Sequence, residues 1–345
     1  MNNSNISLDL CVHDKDFLFE FKRIVEGWIL SFICILGIIG NILTCVILFN
    51  FRMRKSSTNL YLLALSFINI IVLISFILCH GLRSILYNYC TYSFYELFYI
   101  RIFLYIYPIH ITSMLTSIYL TAAVAIDRFF IICLPFQISR YRTQQYSIYV
   151  IISVCLFSIL YCLPFWFEFT HEEEKIESSK SNVTYLTLVL SNFGKKPLFR
   201  LLMRKYFYII FVFLLPLIIL IFCKTCIIRR LMAIHKTRRL LGAQHRSNNA
   251  ITLLLLSIVA IFLFTQFPYF LFNILYALNG PQYMETSNAR LYLSVNNVLC
   301  VINASSVFLL YSFFGQKFRH ILRAVFHYKR TTSDSGHSKR LHTKD

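Results

Sequence analysis

Charge is what this chain has least of. Only 14% of its 345 residues are Asp, Glu, Lys or Arg, where an ordinary soluble domain carries about 25%. With 57% of the residues hydrophobic, too few polar groups remain to coat a water-soluble globule. Glycine and proline are scarce too, at nine and seven, which excludes collagen-like and low-complexity chains. A mean hydropathy of +0.63 excludes a disordered one. Acids are the scarcer charge, 15 against 34 Lys and Arg, for a formal net charge of +19. In a soluble protein that excess would point to nucleic acid, so the position of the charges has to decide.

What the chain does have is long apolar runs. A bilayer-spanning helix needs roughly 20 mostly apolar residues, since the hydrocarbon is about 30 Å thick and each residue rises 1.5 Å. Seven stretches qualify: Gly27 to Phe49, Leu60 to Leu82, Phe98 to Cys133, Ile148 to Phe167, Tyr206 to Ile228, Ala250 to Leu278 and Leu291 to Phe314. The third contains Arg101, His110, Asp127 and Arg128, whose polar groups must face protein or water. Sorting the charges by side orients the chain. With the N-terminus outside, the inner segments hold 21 Lys or Arg and three acids, the outer ones 13 and 12. Cytoplasmic loops carry the excess of Lys and Arg, so the basic surplus reads as topology. Short basic loops between apolar spans offer no continuous face for nucleic acid.

The expected architecture is an all-α membrane protein, a seven-helix bundle with its N-terminus outside. Residues 1–26 form the extracellular N-terminus and 27–314 the bundle, with a second outer loop at about 168–205 and a third inner loop at about 229–249. Residues 1–26 hold no signal-peptide core, so the first span serves as its own insertion signal. Phe318, Ile321, Leu322, Val325 and Phe326 alternate with Lys317, Arg319, Arg323 and Lys329, the pattern of an interfacial eighth helix at 315–328. Residues 329–345 form a polar tail. Sequons at Asn2, Asn5 and Asn182 fall on the outer side, as glycosylation requires.

The third span ends Asp127-Arg128-Phe129, followed by Pro135. Gly40-Asn41 lies in the first span, Thr58, Asn59, Leu65 and Ser66 in the second, Pro216 in the fifth, Phe262 and Thr265-Gln266-Phe267-Pro268 in the sixth. The seventh ends Asn303-Ala-Ser-Ser-Val307-Phe308-Leu-Leu-Tyr311. In order, spacing and membrane depth this resembles the rhodopsin-like G-protein-coupled receptors across nearly the whole chain. Gln266, the Leu163-Pro164-Phe-Trp-Phe-Glu168 exit of the fourth span and Phe308 are similar to the invertebrate FMRFamide-type neuropeptide receptors.

The resemblance implies a plasma-membrane receptor for an extracellular peptide that activates a heterotrimeric G protein, with receptor kinase, arrestin and lipid as further partners. Asp127, Arg128 and Tyr311 would serve G-protein coupling, with Asp127 neutralising Arg128 at rest. Pro216 and Pro268 would be helix hinges, since proline removes a backbone hydrogen bond. Asn41, Asn69, Ser117 and Asn303 would form a polar cluster in the bundle. Asn69 stands where the family usually has Asp, which implies a weak or missing sodium site.

His110 lies five helical turns before Arg128, roughly 27 Å away on the same face, so one meets the outer cavity and the other the cytoplasm. The family's amine receptors carry Asp at the His110 position and its opsins a Lys in the last span; both are lacking here. Glu168, Glu172, Glu173, Glu174 and Glu177 sit in one outer loop. Carboxylates above an aromatic cavity suit a cationic aromatic peptide, because Arg pairs with carboxylate and phenyl rings stack. The expected ligand-binding residues are Tyr107, His110, Glu168, Gln266, Tyr269, Asn273 and Tyr292.

The bridge that family members make from helix three to the second outer loop cannot form, because no Cys lies between Pro164 and Tyr206. Cys11 and Cys90 are the candidates for a disulfide in the oxidising exterior, with Cys79 a competitor. No cofactor, metal site or enzymatic motif is expected. The alternatives are a chemosensory receptor for a small apolar ligand and a seven-helix transporter or channel.

Overall fold

Helix α1 shows how the outer part of the bundle is wound. It runs through Phe17–Lys22, a widely wound π segment Arg23–Leu30 and Ser31–Leu48. The computed structural model describes residues 17–49, 57–86, 94–135, 143–178, 181–240, 248–279, 283 and 286–314. Helix α2 comprises Ser57–Phe76, a π turn Ile77–Gly81 and Leu82–Leu86. Helix α3 is Phe94–Cys133 with Pro108 inside it. Helix α4, Gln144–Cys162, starts where Thr143 caps it, the hydroxyl accepting from Tyr146 N at 3.2 Å. A 3₁₀ turn, Leu163–Phe167, follows as Pro164 ends the helical ladder.

Two strands come next, β1 (Phe169–Ser178) and β2 (Ser181–Leu190), antiparallel from Phe169 opposite Leu190 to Ser178 opposite Ser181. The β-branched and aromatic residues of Val183–Leu190 (Val183, Thr184, Tyr185, Thr187 and Val189) favour a strand. Helix α5 begins at Pro197, is π-wound over Arg200–Tyr206 and Tyr208–Leu214, and continues as Leu215–Leu240. Helices α6 (Asn248–Asn279) and α7 (Ser287–Phe314) complete seven.

Five of these, α1 to α5, are long and apolar enough to cross a bilayer, and α6 holds an apolar stretch Ile261–Tyr276. Their outward faces are greasy: Phe32 (63%), Ile35 (53%) and Val46 (55%) of α1 lie exposed. Such surface is stable only against lipid, where helices satisfy their own backbone groups. Among the described residues the fold, apart from the β1–β2 hairpin, is the expected helical bundle.

Two elements begin earlier than hydropathy suggests. Helix α1 starts at Phe17, and α5 at Pro197, because Phe17, Phe19 and Phe21, then Leu198, Phe199, Leu201 and Leu202, carry apolar positions outward past the bilayer edge among the charges. Proline at the first helical position makes Pro197 a natural start. The last residues of the expected second outer loop, Arg204 among them, therefore stand on a helix.

One core cluster lies between α1, α2 and α7, where Leu30, Cys34, Val72, Leu73, Phe76, Val301 and Ala304 pack together, and another joins α3, α5 and α6 through Ile118, Ala125, Leu220, Cys223 and Phe262. Close approach is possible because Gly37 has no side chain. A Cβ there would lie 2.2 Å from Ser305 Oγ and 2.9 Å from Leu73 Cδ1. Asn41 crosses the same seam, its Nδ2 donating to Gly37 O at 2.8 Å and Ala304 O at 3.2 Å.

Candidate functional site

Tyr107 and His110 sit one turn apart on α3 and divide the outer half of the bundle into two polar centres. On the α4–α5 side, Glu168 follows the 3₁₀ turn and is 4% exposed. Arg204, carried inward by the π-wound start of α5, donates from Nη2 to both Glu168 oxygens at 2.6 Å and from Nε to Oε1 at 3.1 Å. The same Nη2 donates to the Tyr107 hydroxyl, which lies 3.5 Å from Glu168 Oε2. The guanidinium also lies 5.0 Å over the Phe165 ring. Glu168 therefore meets an arginine of its own chain, which stands on α5 and not in the second outer loop that hydropathy predicts up to about 205.

Backbone contacts fix Glu168 in place. Its carbonyl accepts from Ser191 N at 2.9 Å, and a Cβ on Gly194 would press on that oxygen at 2.2 Å. The turn after β2 can close on Glu168 only with glycine there. Above it, Phe169 packs edge-on against Tyr107 at 5.1 Å, and Phe103 stacks on Tyr107 at 5.2 Å. Tyr208 and Tyr269 meet at 6.0 Å from α5 and α6. This side has aromatic walls around one saturated ion pair.

The second centre joins α1, α2 and α7. Glu26, 5% exposed, accepts from Asn297 Nδ2 at 3.0 Å and from Ser84 Oγ at 3.2 Å. Asn297 Nδ2 also lies 3.3 Å from His80 Nδ1. The His80 ring meets the His110 ring at 5.8 Å, and His110 Nδ1 bonds Ser75 Oγ at 2.8 Å. Phe76 packs edge-on to His110 at 4.4 Å. Glu26, His80, Asn297 and Arg204 were not among the residues expected from sequence. His80, ionisable inside an apolar span, was the available signal.

The remaining expected residues divide between cavity and seams. Gln266, buried, meets Cys300 of α7. Asn273 Nδ2 donates to the Tyr269 carbonyl at 2.8 Å. The Tyr292 hydroxyl donates to Pro268 O at 2.9 Å, tying α7 to the carbonyl at the α6 bend. Pro268 lies inside α6, while Pro216 directly follows the π-wound turns of α5. A wide turn there accommodates the hydrogen bond that proline cannot make.

Within the bundle Ser117 Oγ donates to Asn69 Oδ1 at 2.6 Å, and Asn41 bonds backbone as above. Asn303 is half-buried, its carbonyl accepting from Ser306 Oγ at 2.8 Å. Asn69 is neutral, so agonist affinity is expected to be unchanged when sodium replaces a large organic cation. A clear sodium-dependent loss would contradict this.

At the inner end the structure differs from the expectation for Asp127. Its carboxylate accepts from Ser57 Oγ at 3.0 Å and from the Thr58 hydroxyl, both on α2. Among the described residues it makes no ion pair with Arg128. Neighbours on a helix point about 100° apart, since 3.6 residues make a turn, and the two hydroxyls of α2 claim the acid. Tyr311 lies on α7.

Cys79 is buried and unpaired, packed against Tyr99 and Phe103. Asn182 is on β2. Cys11, Cys90, Asn2, Asn5, the eighth helix and the tail lie outside the described residues.

The chain matches the family model described as "7 transmembrane receptor (rhodopsin family)" over residues 40–307. It is 28% identical over 331 residues to the FMRFamide receptor of Drosophila melanogaster, covering 94% of this chain and 58% of that one. It is 25% identical over 295 residues to the FMRFamide peptide receptor frpr-18 of Caenorhabditis elegans, covering 84% and 66%. Against the human CX3C chemokine receptor 1 the identity is 27% over 304 residues, covering 85% and 75%. This chain thus spans 58% and 66% of the lengths of the two FMRFamide receptors.

Proposed function

The chain belongs to the rhodopsin family of seven-transmembrane receptors, and from that premise we propose that it detects an extracellular neuropeptide of the FMRFamide type and activates a heterotrimeric G protein. Membership makes it a multi-pass membrane protein and a signalling receptor, not an enzyme. The observation that carries the ligand class is the similarity to two FMRFamide receptors over 94% and 84% of this chain. Chemistry at the outer end supports it. Tyr107, Phe103, Phe169, Tyr208 and Tyr269 offer ring faces to a terminal Phe, with His110, Gln266, Asn273 and Tyr292 nearby.

The ligand's arginine needs an acid, and Glu168 is saturated by Arg204. In this reading Glu168 anchors the cavity wall, while strand β1 with Glu172, Glu173, Glu174 and Glu177 supplies the attracting charge. Changing these four to Gln is expected to lower the potency of a cationic peptide about tenfold and to flatten its salt dependence, since charge steering is screened by salt. Surface abundance should stay unchanged. An undiminished potency would move the ligand toward a small apolar molecule.

Signal transfer would run through Gln266 and the Tyr292 tie at the Pro268 bend to the inner end of α6, opening a basic cleft beside Arg128. Receptor kinase and arrestin would act on Thr331, Thr332, Ser333, Ser335 and Ser338, and inner basic segments would hold anionic lipid. The test is a library of amidated neuropeptides applied to cells expressing the receptor, read by calcium and cAMP. Activation by an Arg-Phe-amide peptide is the expected result. Ion flux without G protein, or activation only by small apolar compounds, would overturn the proposal.

A further inference from the structure

Pro216 interrupts the hydrogen-bond ladder of α5 at a point where the helix can be wound in two ways. Over Tyr208–Leu214 the winding is π, each N–H reaching back five residues, and the last of these bonds runs from Leu215 N to Ile210 O. The next would run from residue 216 to Phe211 O, but proline has no N–H. Tyr119 of α3 fills the gap, its hydroxyl donating to Phe211 O at 2.7 Å. In an α-wound segment Leu215 N–H would serve Phe211 O instead, and the carbonyl without a donor would be that of Val212. A side chain on α3 thus favours one register of α5 over the other. The Tyr119 ring packs edge-on to Phe157 of α4 at 5.0 Å, which fixes the direction of the hydroxyl.

Both ends of this segment are tied. Arg204 is held on Glu168 at the outer end, and Leu215–Leu240 is α-wound at the inner one. Between them Tyr208 meets Tyr269 of α6 at 6.0 Å, and Phe213 stacks on Phe270 of α6 at 3.7 Å, just past Pro268. Passing the extra residue outward, into the wide turns Arg200–Tyr206, would turn the residues between the two ties by up to about 100°. We propose that Tyr119 is the latch of a register switch in α5: its hydroxyl holds Tyr208–Leu214 π-wound at rest, and an agonist that turns Tyr208 moves the segment to α-winding, where Leu215 N–H takes Phe211 O and the latch lets go. Phe213 then carries the change to the bend of α6. A packed element with two discrete arrangements, biased from both ends, is what coupling between distant sites requires. The latch rests on the receptor reading above and deepens it by naming the element that the ligand moves.

The test uses purified full-length receptor as wild type, Tyr119→Phe, Pro216→Ala and the double variant. Three quantities are read: Tm, binding of an Arg-Phe-amide peptide, and basal nucleotide exchange on added G protein. Tyr119→Phe removes the hydroxyl and keeps the ring. It is expected to lower the Tm while raising peptide affinity and basal exchange about fivefold, the worth of one neutral hydrogen bond. In the Pro216→Ala background the same change should have no effect, because residue 216 then has an N–H and a backbone donor reaches Phe211 O in either register. A lower Tm with affinity and basal exchange unchanged would make the bond structural only and overturn the proposal. So would equal effects with and without Pro216→Ala, which would assign them to ring packing, or failure of Tyr119→Phe to accumulate. If the wild type binds no such peptide while basal exchange follows the cycle, the neuropeptide reading is at fault and the latch stands. Basal exchange absent from all four receptors would overturn the latch's part in signalling.

Discussion

Replacing Glu168 by Ala is expected to cost the receptor most of its folded population at the cell surface. The substitution leaves Arg204, with a side chain 27% exposed, without its carboxylate. Breaking a buried pair from one side typically destabilises by about 3–5 kcal/mol, since the remaining charge is uncompensated. The double variant Glu168→Leu/Arg204→Met should recover much of the loss, because it removes both charges and keeps the volume. Tyr107→Phe should cost about 1.5–3 kcal/mol, one hydrogen bond to a charged group. Thermal denaturation of purified receptor and cell-surface counting together measure the cycle. If Glu168→Ala is as stable as wild type and loses only ligand affinity, Glu168 serves the ligand directly and the wall reading is wrong.

Arg128→Ala should do the opposite, abolishing agonist-stimulated signalling while surface abundance and ligand affinity stay near wild type. Arg128 bonds no described neighbour, so its removal orphans nothing at rest. Asp127→Ala should behave as a stability variant, because the Ser57 and Thr58 hydroxyls lose their acceptor. Each hydrogen bond to a charged group is worth about 1.5–3 kcal/mol. Surface counts, ligand binding and second-messenger output on the two variants separate the roles. Preserved signalling in Arg128→Ala would remove it from coupling.

The two neighbours thus part company in a way their adjacency conceals. In sequence, Asp127-Arg128 reads as a self-neutralising pair, because adjacency is all that is visible. Ser57 and Thr58 come about 70 residues earlier, and their claim on Asp127 follows from how α2 packs against α3. Glu168 gives the same lesson at the outer end. Its position after the helix-four proline was legible, as was the acidity of the loop that follows. Its partner was not, since Arg204 lies 36 residues on and beyond the apparent edge of the fifth span. Hydropathy averages over a window, so an Arg among Leu201, Leu202 and Met203 counts as interface even where the helix runs on.

The outer polar centre on the other side was less legible still. Glu26 and Asn297 are separated by 271 positions and meet only because α1 and α7 are neighbours. Three of its members and Arg204 stand on or beside widely wound turns, in α1, α2 and α5. An extra residue per turn re-aims the side chains that follow, and no residue type announces it.

By itself the sequence settled the class of solvent and the family, and predicted seven spans and their orientation, because these depend on quantities summed along the chain: apolar run length, the side on which cations accumulate, and motif order. The tertiary structure decided which charges are answered and which are not. Pairing Glu168 with Arg204, Asp127 with two hydroxyls and Glu26 with an amide depends on helix winding and on which helices touch. A buried charge is governed by what lies within about 4 Å, where Coulomb energies in a low dielectric are steep, and that distance is a property of packing.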